Sequence, residues 1–143
     1  MRSDPNPQIL IVDLAGVPSA LEDTLRTHGF ELPSTTTDAP DDALAMLQPG
    51  GQLHRHRQLA LVVVPGQEIA KAVAFISSLR QDPSLRRTLM FVLIDAVEPE
   101  QLTEIHNLNV AGCLETQILR DEPKAFCEFL TRYLKIVKYP RRG

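Results

Sequence analysis

The sequence predicts an open parallel β-sheet covered by helices on both faces, and three observations carry that expectation. Five strand signals, three of them runs of Val, Ile and Leu, alternate with five segments that have apolar residues at helical spacing. The strongest of these runs are continuous rather than alternating, as strands buried on both faces are. Hydrophobic residues make up 43% but aromatics only 5%, with no Trp, so the core must be assembled from aliphatic side chains. A chain of 143 residues has room for one such domain, expected over 8–138 between an N-terminal tail, 1–7, and a basic C-terminal tail, 139–143.

The first strand is Gln8-Ile9-Leu10-Ile11-Val12-Asp13, closed by an acid and a Gly-Val-Pro turn. Ser19 and Glu22 have the spacing of a capping box, and Leu21 and Leu25 then share one face of a helix that stops near Gly29. A short strand falls within 30–37, weakened by Pro33, which has no N–H for a neighbour. Residues 38–48 form a helix with Ala43, Leu44 and Leu47 inward, ended by Pro49-Gly50-Gly51. After a polar stretch, 52–58, the central strand is Leu59-Ala60-Leu61-Val62-Val63-Val64, stopping at Pro65-Gly66. Ile69, Val73, Ile76 and Leu79 recur at helical spacing within 68–81, and Asp82-Pro83 closes that helix. The fourth strand is Leu89-Met90-Phe91-Val92-Leu93-Ile94. Glu98-Pro99-Glu100 suits a helix N-terminus, with Leu102, Ile105 and Leu108 facing in. A fifth strand covers 110–115, and the last helix covers 121–138, with Asp121 and Glu122 at its start and Lys135 and Lys138 at its end.

Strand and helix alternate five times, which gives an α/β fold of the (βα)5 type. Right-handed crossovers favour the flavodoxin-like, doubly wound order 2-1-3-4-5. A site in such a sheet lies at the carboxyl ends of the strands, here Asp13, Val63-Val64, Ile94-Asp95 and Glu115-Thr116.

A net charge of −3 leaves no field of excess positive charge for a nucleic acid. No run approaches the roughly 20 apolar residues of a membrane span, and the start lacks the apolar core of a signal peptide. A cytoplasmic protein without a membrane partner is expected. Cys113 and Cys127 have neither CxxC nor zinc-ligand spacing and read as small buried hydrophobes.

Two passages carry a resemblance. Ser78-Leu79-Arg80-Gln81-Asp82-Pro83-Ser84-Leu85-Arg86-Arg87 runs into Phe91-Val92-Leu93, and Leu108-Asn109-Val110-Ala111-Gly112-Cys113-Leu114 enters the fifth strand. In these passages, and in the extension of the last helix through Tyr133, the chain resembles a CheY-like response-regulator receiver domain over nearly its whole length. It is particularly similar to the stand-alone regulators found beside phytochrome-type sensor kinases. The resemblance implies two-component signalling, with a histidine kinase or another signalling protein as partner. Receivers accept a phosphoryl group on an Asp ending strand three and hold Mg²⁺ with an acid pair after strand one. A Thr or Ser ending strand four and a Lys ending strand five respond to the phosphate. Carried over by position, the acceptor falls on Val63, the acid pair on Asp13 and Leu14, the Thr/Ser on Ile94 and the Lys on Thr116. No Asp or Glu lies between Gln58 and Gln67, so a register shift of one does not supply the acceptor. The resemblance therefore implies a degenerate, or pseudo-, receiver outside the phosphorelay chemistry of its relatives.

Other chemistry has weaker support. Asp13, Asp95 and Glu115 could offer a hard cation oxygen ligands but read as solvated loop acids. Leu14-Ala15-Gly16-Val17-Pro18 makes a poor phosphate cradle, because it has one Gly and a Pro without an N–H. His54-Arg55-His56-Arg57 reads as a solvated connection, His28 and His106 as lone helix residues, and Ser77-Ser78 beside Arg80 as ordinary helix surface. No cofactor, no metal and no enzymatic activity are expected. The last helix is more informative. Phe126, Phe129, Leu130, Tyr133, Leu134, Ile136 and Val137 cover more of its circumference than packing on a sheet requires. Phe129, Tyr133 and Ile136 are the expected contacts with a partner or with a second copy in a homodimer. The competing reading is a small-molecule or metal sensor that uses the carboxyl edge near Asp13, Val63 and Asp95.

Overall fold

The computed structural model describes residues 8–14, 19–30, 34–53, 58–86, 88–95 and 98–136. The tails, the loop 15–18 and the His54–Arg57 segment lie outside them. The elements run β1 (Gln8–Asp13), α1 (Ser19–Thr27), β2 (Ser34–Thr37), α2 (Pro40–Leu47), β3 (Gln58–Val64), α3 (Ile69–Gln81), β4 (Leu89–Ile94), α4 (Pro99–His106), β5 (Gly112–Glu115), α5 (Ile118–Asp121) and α6 (Pro123–Ile136). The strands form one parallel sheet in the order β2-β1-β3-β4-β5, the doubly wound topology expected from the alternation.

Strand parity divides the core into two layers. Leu10, Val12, Val62, Val64, Val92 and Ile94 face α2, α3 and α4, where Ala43, Leu47, Phe75, Ile76, Leu79 and Ile105 meet them. Ile9, Ile11, Leu61, Val63, Phe91 and Leu93 face α1 and α6, packing on Leu21, Leu25, Phe126 and Leu130. The continuous aliphatic runs of β1, β3 and β4 are what a sheet clad on both sides requires, since neither face of these strands meets water.

Several boundaries are narrower or shifted against expectation. β2 is only Ser34–Thr37; the Thr37 hydroxyl accepts from the Ala39 N–H at 3.1 Å and turns the chain into α2. A 3-10 turn over Gly66–Glu68 precedes α3, which starts at Ile69 rather than Glu68. β5 starts at Gly112 rather than Val110, because Asn109 sits in the left-handed region at φ 60° and delays the strand. The last helix begins at Pro123, and Ile118–Asp121 form a separate short helix whose Ile118 and Leu119 pack on the α6 side of the core. In α4 the Glu98 and Gln101 side chains form a reciprocal capping box, as the acids at that start suggest, but Leu102 is 37% exposed instead of inward.

Arg80 departs furthest from its sequence reading. Its guanidinium donates to the carbonyls of Leu108 (2.9 Å), Asn109 (2.9 Å), Arg86 (2.9 Å) and Thr88 (3.0 Å). It thereby ties the α3–β4 loop to the α4–β5 loop at the amino ends of the strands. Partial burial lowers its pKa, yet a guanidinium stays charged in a protein. Arg80→Ala is expected to lower stability by about 2–3 kcal/mol, and Arg80→Lys, a point charge without the planar fork, to recover less than half of that. Urea midpoints at unchanged m-value read both effects.

Candidate functional site

Hydrogen bonds between neighbouring strand ends build the carboxyl edge of the sheet. The Leu14 N–H donates to the Val63 carbonyl at 2.9 Å, the Asp95 N–H to Val64 at 3.1 Å and the Thr116 N–H to Ile94 at 3.1 Å. These bonds fix the loop residues that leave β1, β4 and β5 against the ends of β3 and β4.

Asp13 and Val63 are partners in the β1–β3 register, so their side chains leave the same face of the sheet. Asp13 is 2% exposed and Val63 8%. Val63 belongs to the layer under α1 and α6, with Ile11, Leu61 and Leu93 around it. It therefore sets an aliphatic side chain next to Asp13 in the sheet. Leu14 is half-buried against the opposite layer, and Ile94 belongs to that layer as well. The five expected site residues therefore divide. Asp13 and Val63 come together, whereas Ile94 and Thr116 line a separate cleft toward α4.

Magnesium takes oxygen ligands in near-octahedral geometry. Of Asp13, Leu14 and Val63, only Asp13 offers a side-chain oxygen, so these residues do not fit the ion. Asp95 and Glu115 are exposed, unlike Asp13, and among the described residues no group of three His, Cys, Asp or Glu side chains is placed to hold a metal. Without a nucleophile on Val63, the Asp13–Val63 pair is an acid set against an aliphatic wall rather than a reaction centre.

The expected interaction residues form a second feature, on α6. Phe126 and Leu130 are buried, Tyr133 and Leu134 half-buried, and Phe129 is 42% exposed. Phe91 on β4 meets Phe129 edge-on at 5.4 Å between ring centroids and Tyr133 at 4.9 Å, both at 72°. The Tyr133 hydroxyl has its pKa raised by burial, so it is neutral at any physiological pH. Ile136 ends the helix, and its side chain lies outside those described. Phe91, whose ring supports both α6 aromatics, is not among the residues expected there, although its position on the α6 face of β4 follows from strand parity. No helix among the described residues is long and apolar enough to cross a membrane.

No protein-family model matches the chain, and no curated protein matches it. Solved structures do. The Mn²⁺-bound form of the response regulator Rcp1 is 21% identical, with a TM-score of 0.70 over 94% of this chain and 99% of that one. The phosphorylated cyanobacterial phytochrome response regulator RcpA is 15% identical, with a TM-score of 0.68 over 94% and 98%. RPA3017, a response regulator in red light signalling of R. palustris, is 12% identical, with a TM-score of 0.73 over 94% and 99%. The chain has the CheY-like fold of response-regulator receiver domains over about 94% of its length.

Proposed function

We propose that this receiver-fold chain is a pseudo-receiver, a signalling module that acts by contact with other proteins and does not pass through an aspartyl phosphate. The observation that carries this reading is Val63, 8% exposed and in register with Asp13 at the carboxyl edge. The resemblance puts the phosphoacceptor there. Phosphoryl transfer is positioning plus neutralisation of charge on the transferred oxygens, so it needs a carboxylate to attack, a metal and a cation to receive that charge. Val63, Leu14, Ile94 and Thr116 provide none of these, and the apolar contacts of Val63 favour a single arrangement of the edge.

The contact surface in this reading is α6. Phe129 presents an aromatic ring to solvent and Tyr133 backs it, the residue types that dominate interface energetics. Either a second copy or a signalling partner such as a histidine kinase covers that face, with Ile136 following Tyr133 along the helix. The metal-sensor alternative is disfavoured by the donor set at Asp13.

The test has two arms. Incubation with acetyl phosphate and Mg²⁺, followed by intact-mass spectrometry, is expected to leave the chain unmodified while a phosphorylatable receiver beside it gains a phosphoryl group. An adduct on this chain overturns the reading. The double variant Phe129→Ser, Tyr133→Ser is expected to weaken self-association at least about tenfold in sedimentation equilibrium, because two aromatic anchors are removed together. Unchanged association in that variant rules out α6 as the surface between two copies.

A further inference from the structure

At the amino ends of the strands the Arg80 clamp borders a small cavity of about 130 Å³. Arg80, Arg86 and Asn109 are its long polar residues, and among the described residues no Asp or Glu lines it. The acid nearest to Arg80 and Arg86 in sequence, Asp82, is turned to its own loop. There its carboxylate accepts from the Ser84 N–H at 2.9 Å and from the Ser84 hydroxyl at 2.8 Å. Two guanidiniums thus share a cavity with no described carboxylate in its walls.

The hydrogen bonding of Arg80 leaves one donor over. A guanidinium carries five N–H groups. Nε donates to the Leu108 carbonyl, Nη1 to those of Arg86 and Thr88, and Nη2 to that of Asn109. The second N–H of Nη2 has no partner among the described residues. Carbonyls satisfy N–H groups but carry no net charge, so they do not neutralise the cation. Among the described residues no ion pair joins Arg80 or Arg86 to a carboxylate, and neither the Arg86 guanidinium nor the Asn109 carboxamide has a hydrogen-bond partner. The clamp also holds the plane of Arg80 in place before anything binds, so an anion that meets it does not have to immobilise a free side chain.

We propose that this cavity is an anion site that takes a phosphate group, bound by the remaining Arg80 N–H, the Arg86 guanidinium and the Asn109 carboxamide. These donors belong to α3, to the loop before β4 and to the loop before β5. A phosphate has oxygens for donors on several segments, whereas a carboxylate offers two in one plane. Bound phosphate braces the two loops that Arg80 already joins. The site lies at the opposite rim of the sheet from Asp13 and Val63 and holds its ligand without a covalent bond, so it and the pseudo-receiver reading stand or fall separately.

Amide-detected NMR on the full chain tests this, with sodium phosphate titrated at an ionic strength kept constant with chloride. Saturating shifts are expected at the Arg80 Nε–H and at the backbone amides of Arg86, Thr88, Asn109 and Ala111, with a Kd of about 1 mM. Arg86→Gln is expected to weaken binding about tenfold while keeping the clamp, because Arg80 uses the Arg86 carbonyl and not its side chain. Asn109→Asp, which sets a carboxylate where the anion would lie, is expected to abolish binding. Unchanged shifts remote from the cavity show that both variants are folded. The proposal is overturned if the shifts do not saturate, if acetate produces the same shifts, or if Arg86→Gln binds like the parent. Phenyl phosphate separates the two sources of the group once binding is seen. An ester that binds as tightly as inorganic phosphate assigns the site to a phosphate carried on a larger molecule, and exclusion of the ester assigns it to the free ion.

Discussion

Val63→Asp is expected to destabilise the chain by about 3 kcal/mol at neutral pH and to restore no phosphoacceptor. The new carboxyl would sit among Ile11, Leu61 and Leu93, in register with the buried Asp13. Desolvation and the neighbouring acid both disfavour its charged form, so its folded-state pKa is raised above the unfolded value of about 3.9. The sign follows from linkage. A group whose pKa is raised on folding costs nothing electrostatically below the unfolded pKa, and the cost grows as pH rises toward the folded pKa and is constant above it. The stability deficit against the parent should therefore widen between about pH 4 and neutrality. Val63→Asn, of the same size without the titrating group, should show a deficit that does not change with pH. Urea titrations at several pH values separate the two. Added Mg²⁺ is expected to recover part of the Val63→Asp deficit by bridging two carboxylates, and none of the Val63→Asn deficit. A Val63→Asp chain as stable as the parent would show that the edge is not the dry aliphatic wall described above.

Phe91→Ala is expected to cost about 3–4 kcal/mol, the range for deleting a buried Phe whose site cannot collapse. Phe91 is 4% exposed and at the centre of the aromatic trio, so its loss removes two edge-on contacts as well as buried area. Gly112 makes room for this ring, since a Cβ there would stand 3.1 Å and 3.2 Å from two Phe91 carbons. The neighbouring strand gives up a side chain so that the ring can meet the two α6 aromatics edge-on. Phe91→Leu keeps most of the burial and should cost about 1–2 kcal/mol. Because Phe129 and Tyr133 lean on Phe91, both variants are expected, in the proposed reading of α6 as the contact surface, to loosen contacts made there in proportion to their loss of support. Denaturation and sedimentation on the same samples check the pair of effects. A large stability loss with unchanged association would detach the trio from the interface.

The parts of this molecule that are legible in the sequence are those set by one-dimensional pattern. β1, β3 and β4 are continuous aliphatic runs, and their order follows from the handedness of crossovers. The adjacency of Asp13 and Val63 follows from both ending neighbouring strands, and the separation of Val63 from Ile94 follows from parity alone. Arg80 was illegible for a physical reason. Its acceptors are backbone carbonyls, which every residue carries, and two of them lie 28 and 29 residues away. The α4–β5 cleft was illegible for a related one. Leu102 fits the apolar spacing of α4, but two turns of helix anchored at Ile105 can turn only part of that stripe inward.

The Arg80 clamp also sets how the molecule can move. It grips Leu108 and Asn109, just beyond the last turn of α4, while the opposite end of that helix is held by its own capping box. The helix is thus a short lever with its fulcrum at the amino rim of the sheet and its free end at the carboxyl rim. An eight-residue helix is about 12 Å long, so a tilt of about 20° about that fulcrum carries the Glu98 end through about 4 Å. Such a tilt would leave the fulcrum nearly still and would be largest at the carboxyl rim, the edge on which Asp95 and Thr116 also lie.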